Sequence, residues 1–232
     1  MNKINLFCLP HAGGNSTLYF PWRKLLHPNI RLISIELAGR GKRAEIQFYS
    51  SIEAAVNDVY SQIEEYLFEA PFAIFGHSMG GLIAFELAHK LMDVGVNELV
   101  HLFISGKYPP HIEKYSTPIH SLPDAEFITE VSKLGGIPQG IHKYKPILNL
   151  YLPILKSDYK IVETYKYEHK SRKLDCCITA LNGRKDKLTS EIQGWEAYTN
   201  NKFQMIEFEG GHFYINNQLE SILNVINNTL VI

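Results

Sequence analysis

The sequence has few cysteines and no excess of either charge. Its three cysteines, Cys8, Cys176 and Cys177, form neither a CxxC pair nor an even-numbered framework, and we interpret them as small apolar residues in a reducing compartment. Lys and Arg number 23 against 24 Asp and Glu, for a formal net charge of -1. Because nucleic acid attracts proteins through clustered positive charge, and no long basic run is present, we do not expect nucleic-acid binding.

Long apolar runs are missing as well. No stretch approaches the roughly 18 residues that a membrane-spanning helix needs, and the apolar run 4–10 is too short for the core of a secretory leader. We therefore predict a cytoplasmic protein with no membrane partner and, by default, a monomer. With 45% hydrophobic residues among 232, the chain can bury a substantial core without a metal or a disulfide.

Short apolar runs alternate with longer segments of helical period. Most of the short runs are almost continuously apolar, which is typical of parallel strands covered on both faces. The pattern indicates an α/β fold with a doubly wound, mostly parallel sheet. Strands are predicted at 4–9, 30–37, 72–76, 99–106, 175–183 and 203–210, and helices at 50–68, 79–91 and 219–230.

The segment 109–173 interrupts this alternation. It contains helical patterns at 124–134 and 146–165, joined by the hinge-like loop LGGIPQGI, and no clear strand. We interpret the chain, 1–232, as one domain with a helical lid inserted between two strands of its sheet.

The strongest chemical signal is the run GHSMG at 76–80, which fits the pattern G-x-S-x-G. Alone the pattern is weak, because a Gly-rich turn can carry an incidental serine. Here a predicted strand precedes it and a predicted helix follows it, as in a nucleophile elbow. Such an elbow exposes its serine above the carboxyl end of the sheet, where open α/β sheets bind ligands. Ser78 is therefore the candidate nucleophile.

A serine hydroxyl is a poor nucleophile unless a base removes its proton. In α/β-hydrolases the partners follow the serine in the order Asp or Glu, then His. Of the ten histidines, only His212 follows the last predicted strand, after two glycines that allow a loop to return over the sheet. His212 is the candidate base, the alternative being a loop histidine without a catalytic role.

The acid that orients this histidine is expected just after an earlier strand. Asp186 directly follows the predicted strand 175–183 and could stabilise the imidazolium that forms during attack. Asp158 lies within the segment 109–173, and Asp175 begins a strand at the wrong edge of a parallel sheet. Asp186 is thus preferred, although it could also be an ordinary acid of a surface loop.

The negative charge that develops on the attacked carbonyl oxygen needs hydrogen-bond donors. One should be the backbone N–H of Met79, the residue after the nucleophile. The loop PHAGGN at 10–15 follows the first strand and should supply the second, from Ala12 or else Gly13. This loop lacks the G-x-G-x-x-G spacing of a dinucleotide site.

Three other reactive side chains lie close to these motifs in the sequence. His11 and His77 are each interpreted as a packing or hydrogen-bonding neighbour of the site rather than as a second base. Cys8 lies within a predicted strand without a matched base, which argues against it as a rival nucleophile.

Several longer runs resemble one family, the type II thioesterases. These are stand-alone α/β-hydrolases that accompany nonribosomal peptide and polyketide synthetases. The similarity extends in matching order from residue 4 to 215. Several of the matching runs, notably LPILKSDYKIVETYKY, are not general features of hydrolases. The matching runs are LPHAGGN, ELAGRGKR, GHSMGG, LGGIP, LPILKSDYKIVETYKY, LNGRKDKL and GGHFYI.

The resemblance implies a function and a site. The family's triad falls on Ser78, Asp186 and His212, and its oxyanion donors on Met79 and Ala12. It implies hydrolysis of acyl thioesters on the phosphopantetheine arm of carrier proteins, which clears stalled or misprimed synthetases and sometimes releases product. No metal or redox cofactor is implied, since the phosphopantetheine belongs to the substrate. One departure is Ala38, where the family usually has proline.

The charges of the lid suggest how such a carrier could bind. The segment 107–173 has 11 Lys or Arg against 7 Asp or Glu, about +4, while the remainder carries about -5. A basic face that includes Lys143, Lys145 and Lys156 could therefore dock an acidic carrier domain, or the charges could simply be scattered over a solvated face. Apolar lid residues expected along an acyl channel are Phe127, Leu134, Leu148, Leu152 and Tyr159.

Two other functions stay open on the sequence alone. A general carboxylesterase or lipase-like hydrolase would share the triad and differ in substrate. A non-catalytic binding protein could retain the fold, because fold alone does not establish activity.

Overall fold

The computed structural model describes residues 3–112, 117–135, 145–186 and 191–231. Its strands are β1 Ile4–Leu9, β2 Ile30–Ser34, β3 Phe72–His77, β4 Leu99–Ser105, β5 Cys177–Gly183 and β6 Phe203–Phe208. Its α-helices are α1 Ile52–Ile63, α2 Met79–Asp93, α3 Asp124–Ser132, α4 Lys145–Glu163 and α5 Leu219–Leu230. Within the described ranges, no helix is both long enough and apolar enough to cross a membrane.

All six strands join one parallel sheet in the order β2-β1-β3-β4-β5-β6. Along β1, Phe7 and Leu9 lie in the core beneath α1 and α2. Leu6 and Cys8 lie in the core on the other face, beneath α5 and the 3-10 helix Ser16–Lys24. Burial on both faces explains why the strands are continuously apolar, and it confirms the predicted doubly wound sheet.

The predicted elements differ from the structure mainly at their ends. The strand predicted over 30–37 ends at Ser34. Ile35 and Leu37, whose apolar side chains extended the prediction, are buried within the following loop. The helix predicted over 50–68 begins after Ser51, whose side chain accepts a hydrogen bond from the N–H of Ala54. It ends at residue 63 and continues only as a short 3-10 turn. The 3-10 helix at 16–24 was not predicted.

Between β4 and β5, the described residues contain α3 and α4 and no strand. The two helices pack together in a small apolar cluster of their own, which also touches Ala12 in the loop after β1. Pro153 lies inside α4 and interrupts its ladder of backbone hydrogen bonds, because proline has no amide hydrogen. Of the predicted hinge loop, residues 136–141 lie outside the described residues.

The junction between β3 and α2 is unusually close. A Cβ atom on Gly76 would collide with the carbonyl group of Gly80, and one on Gly80 would collide with the carbonyl oxygen of Leu9. Only hydrogen atoms fit at these two positions, so the pattern G-x-S-x-G has a steric cause here.

We expect Gly80→Ala to destabilise the protein by about 2–3 kcal/mol, since its methyl group meets rigid backbone. Elsewhere within a helix, the same change would stabilise by up to about 1 kcal/mol. Gly211→Ala is the control, because a Cβ at Gly211 has no atom within 4 Å. Urea unfolding of both variants measures the difference, and a Gly80→Ala protein as stable as Gly211→Ala would contradict the steric explanation.

His101 on β4 is a buried histidine that should make stability depend on pH. Its Nε2 lies 2.8 Å from Oγ1 of Thr179, and its ring stacks on Phe103 with centroids 4.3 Å apart. Burial lowers the pKa of His101 to about 4, whereas the unfolded chain should show about 6.5. Between these values the unfolded state binds a proton that the folded state does not, so stability falls as pH falls through this window.

Replacing this side chain should flatten the pH dependence. In His101→Gln the free energy of unfolding should fall less steeply between pH 6.5 and 4, by up to about 1.4 kcal/mol per pH unit. The exposed His169 provides the control variant, His169→Gln. Urea unfolding across this pH range tests the prediction, which an unchanged slope in His101→Gln would refute.

Candidate active site

Ser78 sits at the sharp turn between β3 and α2. Its φ is 56° and its ψ is -114°, and in the described parts of the chain no other non-glycine residue has a positive φ. Such a conformation costs on the order of 1–3 kcal/mol and persists only where the surroundings enforce it. Here the N–H of Ser78 donates to the carbonyl oxygen of Ser105 at the end of β4, at 2.8 Å. The strained turn therefore holds the serine at the carboxyl edge of the sheet.

The structure brings Ser78, His212 and Asp186 together in one hydrogen-bonded chain. Nε2 of His212 lies 3.0 Å from Oγ of Ser78, and Nδ1 of His212 lies 2.7 Å from Oδ2 of Asp186. With Nδ1–H donating to the carboxylate, Nε2 is left as the acceptor for the serine proton. His212 and Asp186 are both buried. This is the arrangement that the sequence order predicted.

The loops after β5 and β6 hold Asp186 and His212 in place. The N–H of Lys185 donates to the carbonyl oxygen of Gly210 at 2.9 Å, linking the two loops directly. A Cβ on Gly183 would collide with the carbonyl oxygen of Gly211. The acid and the base can thus approach each other because small residues let their loops touch.

His77 lies next to the base and stays neutral. Its ring centroid is 5.2 Å from that of His212, and its Nδ1 lies 2.8 Å from Oγ of Ser105. Burial, and then the nearby charge of His212, lower the pKa of His77 well below its usual value. The predicted role as a hydrogen-bonding neighbour fits this geometry, since a neutral ring adds no charge that would oppose an imidazolium on His212.

The loop after β1 carries the other candidate donors. The N–H of Gly13 donates to Oδ2 of Asp158 in α4 at 2.7 Å. This N–H therefore already has an acceptor other than the oxyanion. Ala12 lies beside Ser78 at the same small cavity. Met79 is the first residue of α2, and the first N–H groups of a helix have no intrahelical acceptor. Of the two residues considered in this loop, the geometry favours Ala12 over Gly13.

Residues of α3 and α4 border the cavity at Ser78. Its volume is about 20 Å³, enough for about one water molecule. Of the residues expected along an acyl channel, Leu134 and Tyr159 line it, Phe127 and Leu152 pack between the helices, and Leu148 does neither. Its lining is His11, Ala12, Ser78, Val131, Leu134, Tyr151, Leu155, Tyr159, His212 and Phe213.

Sequence reasoning missed Tyr151 and Leu155 in this lining. Both belong to α4, and together with Tyr159 they follow one another at intervals of four residues, the spacing of a single helix face. That spacing is a signal that could have assigned them to one helix face with Tyr159. A larger groove of about 520 Å³ lies between α1, α2 and the end of α4, away from Ser78.

The other reactive groups considered from the sequence do not compete with Ser78. Cys8 is fully buried in β1, and burial raises the pKa of its thiol well above the usual value. The thiol therefore stays protonated and is a poor nucleophile. Among the described residues, no three His, Cys, Asp or Glu side chains are grouped to hold a metal ion.

Comparison with known proteins places this site in a family. The thioesterase-domain family matches residues 4–230. Thioesterase PikA5 of Streptomyces venezuelae is 34% identical over 100% of this chain and 82% of its own length. ClbQ from the colibactin NRPS/PKS pathway is 37% identical with a TM-score of 0.94, over 99% of this chain and 97% of that one. BorB, a type II thioesterase from the borrelidin biosynthetic cluster, is 32% identical with a TM-score of 0.88, over 97% and 92%. This chain belongs to the thioesterase-domain family and is a thioester-hydrolysing enzyme.

Proposed function

We propose that this enzyme is a type II thioesterase that hydrolyses acyl groups from the phosphopantetheine arm of carrier proteins. Its role would be to clear misprimed or stalled nonribosomal peptide or polyketide synthetases. The observation that carries the proposal is the hydrogen-bonded chain of Ser78, His212 and Asp186. Relatives named for such pathways, ClbQ and BorB, support the choice of substrate.

In the first half of the reaction, Oγ of Ser78 attacks the thioester carbonyl carbon while Nε2 of His212 takes the hydroxyl proton. Asp186 stabilises the imidazolium through its bond to Nδ1. The backbone N–H groups of Met79 and Ala12 donate to the oxyanion. The C–S bond then breaks, and the departing carrier thiolate takes the proton from Nε2, which leaves an acyl ester on Ser78.

In the second half, water replaces the thiol. His212 takes a proton from the water as it attacks the acyl ester, and the same two N–H groups receive the second oxyanion. Collapse breaks the ester bond, Ser78 regains its proton from His212, and the free acid leaves. Every step uses side chains and backbone groups of this chain, together with water and the substrate.

Helices α3 and α4 act in this proposal as the lid inserted into a single domain. A cavity of about 20 Å³ holds about one water molecule and cannot hold an acyl chain on a phosphopantetheine arm. In this proposal α3 and α4 move away from Ser78 to admit the substrate, and their closure excludes bulk water from the acyl-enzyme.

Substitution of the triad tests the chemistry. Ser78→Ala should lower kcat by on the order of 10⁴-fold or more, and Asp186→Ala should lower it less, as when the acid of a triad is removed. Both are measured by release of acid from an acylated carrier protein and from octanoyl-N-acetylcysteamine. The stability of Ser78→Ala in urea should stay close to that of the wild type, because a hydroxyl at the cavity contributes little packing.

The control for Ser78→Ala is a fluorophosphonate probe, which should label the wild type and not the variant. Undiminished hydrolysis by Ser78→Ala would contradict the assignment of the nucleophile. A wild type that hydrolyses simple oxygen esters and spares acylated carrier proteins would instead favour a general carboxylesterase.

Exposed lysines on the lid segment test how the carrier docks. Lys156 is not free for this task, because its Nζ donates to the carbonyl oxygen of Leu122 at 2.8 Å and to Oδ1 of Asp124 at 2.7 Å. Lys143 lies outside the described residues, as does the side chain of Lys145. Three lysines of this segment that the structure shows exposed are Lys160, Lys166 and Lys173.

Replacing these three lysines by glutamate should raise KM for an acylated carrier protein by about threefold to tenfold at low salt and weaken the salt dependence. KM for octanoyl-N-acetylcysteamine should not change, since this substrate has no carrier domain. The matched control reverses three exposed lysines outside the segment, Lys3, Lys24 and Lys202. Equal effects of the two triple variants would contradict docking through the lid.

A further inference from the structure

Asp158 in α4 is a buried carboxylate that the mechanism above does not use. Its exposed fraction is 2%. Oδ1 accepts from Nη2 of Arg40 at 2.7 Å, and Oδ2 accepts from Nη1 of Arg40 at 2.7 Å. Oδ2 also accepts from the backbone N–H of Gly13 at 2.7 Å. The carboxylate thus connects α4 with the loop that carries Ala12.

Arg40, in the loop after β2, completes this connection. It is 3% exposed, and besides Asp158 it donates to two carbonyl oxygens: from Nη1 to Gly14 at 3.0 Å and from Nε to Ala38 at 3.2 Å. The pair therefore forms hydrogen bonds to the loop after β1 at two points, the N–H of Gly13 and the carbonyl oxygen of Gly14.

These two points determine the orientation of the peptide units around Ala12. The carbonyl oxygen of Ala12 accepts from Nδ1 of His11 at 2.9 Å, so the peptide between residues 12 and 13 is held at both its oxygen and its nitrogen. The carbonyl oxygen of His11 accepts from the N–H of Gly14 at 2.9 Å. Because a trans peptide is planar, that bond also sets the direction of the N–H of Ala12 on the opposite side.

We propose that Arg40 and Asp158 are positioning residues for the oxyanion donor. By holding Gly13 and Gly14, the ion pair keeps the N–H of Ala12 aimed at the oxygen that becomes negative when Ser78 attacks. This inference rests on the proposed function, since it assigns a task within the same reaction. Neither side chain touches the reacting atoms.

Energetics argue that stability alone does not explain this pair. Removing two charges from water is costly, and an apolar pair of similar volume is often as stabilising as a buried ion pair. An apolar pair cannot accept a hydrogen bond from the N–H of Gly13 or donate one to the carbonyl oxygen of Gly14. Positioning of the loop is therefore the property that the ion pair supplies and that packing cannot.

The decisive variant replaces both partners, as Arg40→Met with Asp158→Leu. No buried charge is left unpaired, although three backbone groups lose a partner, so urea unfolding should show a smaller loss of stability than in either single variant. On octanoyl-N-acetylcysteamine, kcat should nevertheless fall by about 10- to 100-fold with KM changed by less than about threefold, since losing one oxyanion donor typically costs about 10²–10³.

A transition-state analogue separates positioning from general damage. A trifluoromethyl ketone with an octyl chain adds to Ser78 and places an oxyanion at the donors, whereas the corresponding secondary alcohol binds without reacting. In the double variant the ketone should lose affinity by the same factor as kcat, while affinity for the alcohol stays within about threefold.

The matched control is the other Arg–Asp pair that involves the loop after β2. Arg43 also binds its partner, Asp58, through two hydrogen bonds of 2.6 Å, but Asp58 lies on α1 and the pair does not bond to the loop 10–15. Arg43→Met with Asp58→Leu should leave kcat and ketone affinity within about threefold of the wild type.

The inference is overturned if the Arg40–Asp158 double variant keeps wild-type kcat, or if the control variant loses as much. If the double variant does not fold, Asp158→Asn is measured in the same way, and equal losses for the ketone and the alcohol would overturn the inference. Failure of the proposed function looks different, because the fluorophosphonate probe would then leave Ser78 of the wild-type enzyme unlabelled.

Discussion

The close packing of β3, α2 and the end of β1 is the constraint on which the site depends. Gly76 and Gly80 leave no space for a methyl group at this junction, and the turn between them forces Ser78 into a positive φ. A strained backbone of this kind is stable only when well-packed elements on both sides hold it. The large buried sheet therefore serves the chemistry directly, since it supplies the rigidity that a single exposed hydroxyl needs.

A parallel sheet also explains why distant residues meet. The loops after β1, β3, β5 and β6 all leave from the same edge, so groups as far apart in sequence as Ala12 and His212 lie around one small cavity. Two of these loops touch through glycines, and a third is held by an ion pair from α4 and the loop after β2.

Much of this could be predicted because its causes are local. Apolar runs mark strands buried on both faces, and the G-x-S-x-G pattern reflects a steric limit that glycine alone satisfies. The pairing of Arg40 with Asp158 could not be predicted, because the two side chains are 118 residues apart, one in a loop and one in a helix, and no sequence motif links them. Tyr151 could have been assigned to a helix face but not to the cavity, since the position of α4 over the sheet depends on tertiary packing.

Helix α4 both covers the cavity and supplies Asp158, which accepts a hydrogen bond from the loop that carries Ala12. If the whole helix lifted to admit a substrate, the carboxylate of Asp158 would leave the N–H of Gly13, and the loop that carries Ala12 would lose that contact. Of the α4 residues that line the cavity, Tyr151 precedes Pro153, whereas Leu155 and Tyr159 follow it, on the same side as Asp158. One helix thus borders the path to Ser78 and also contacts the loop that carries Ala12.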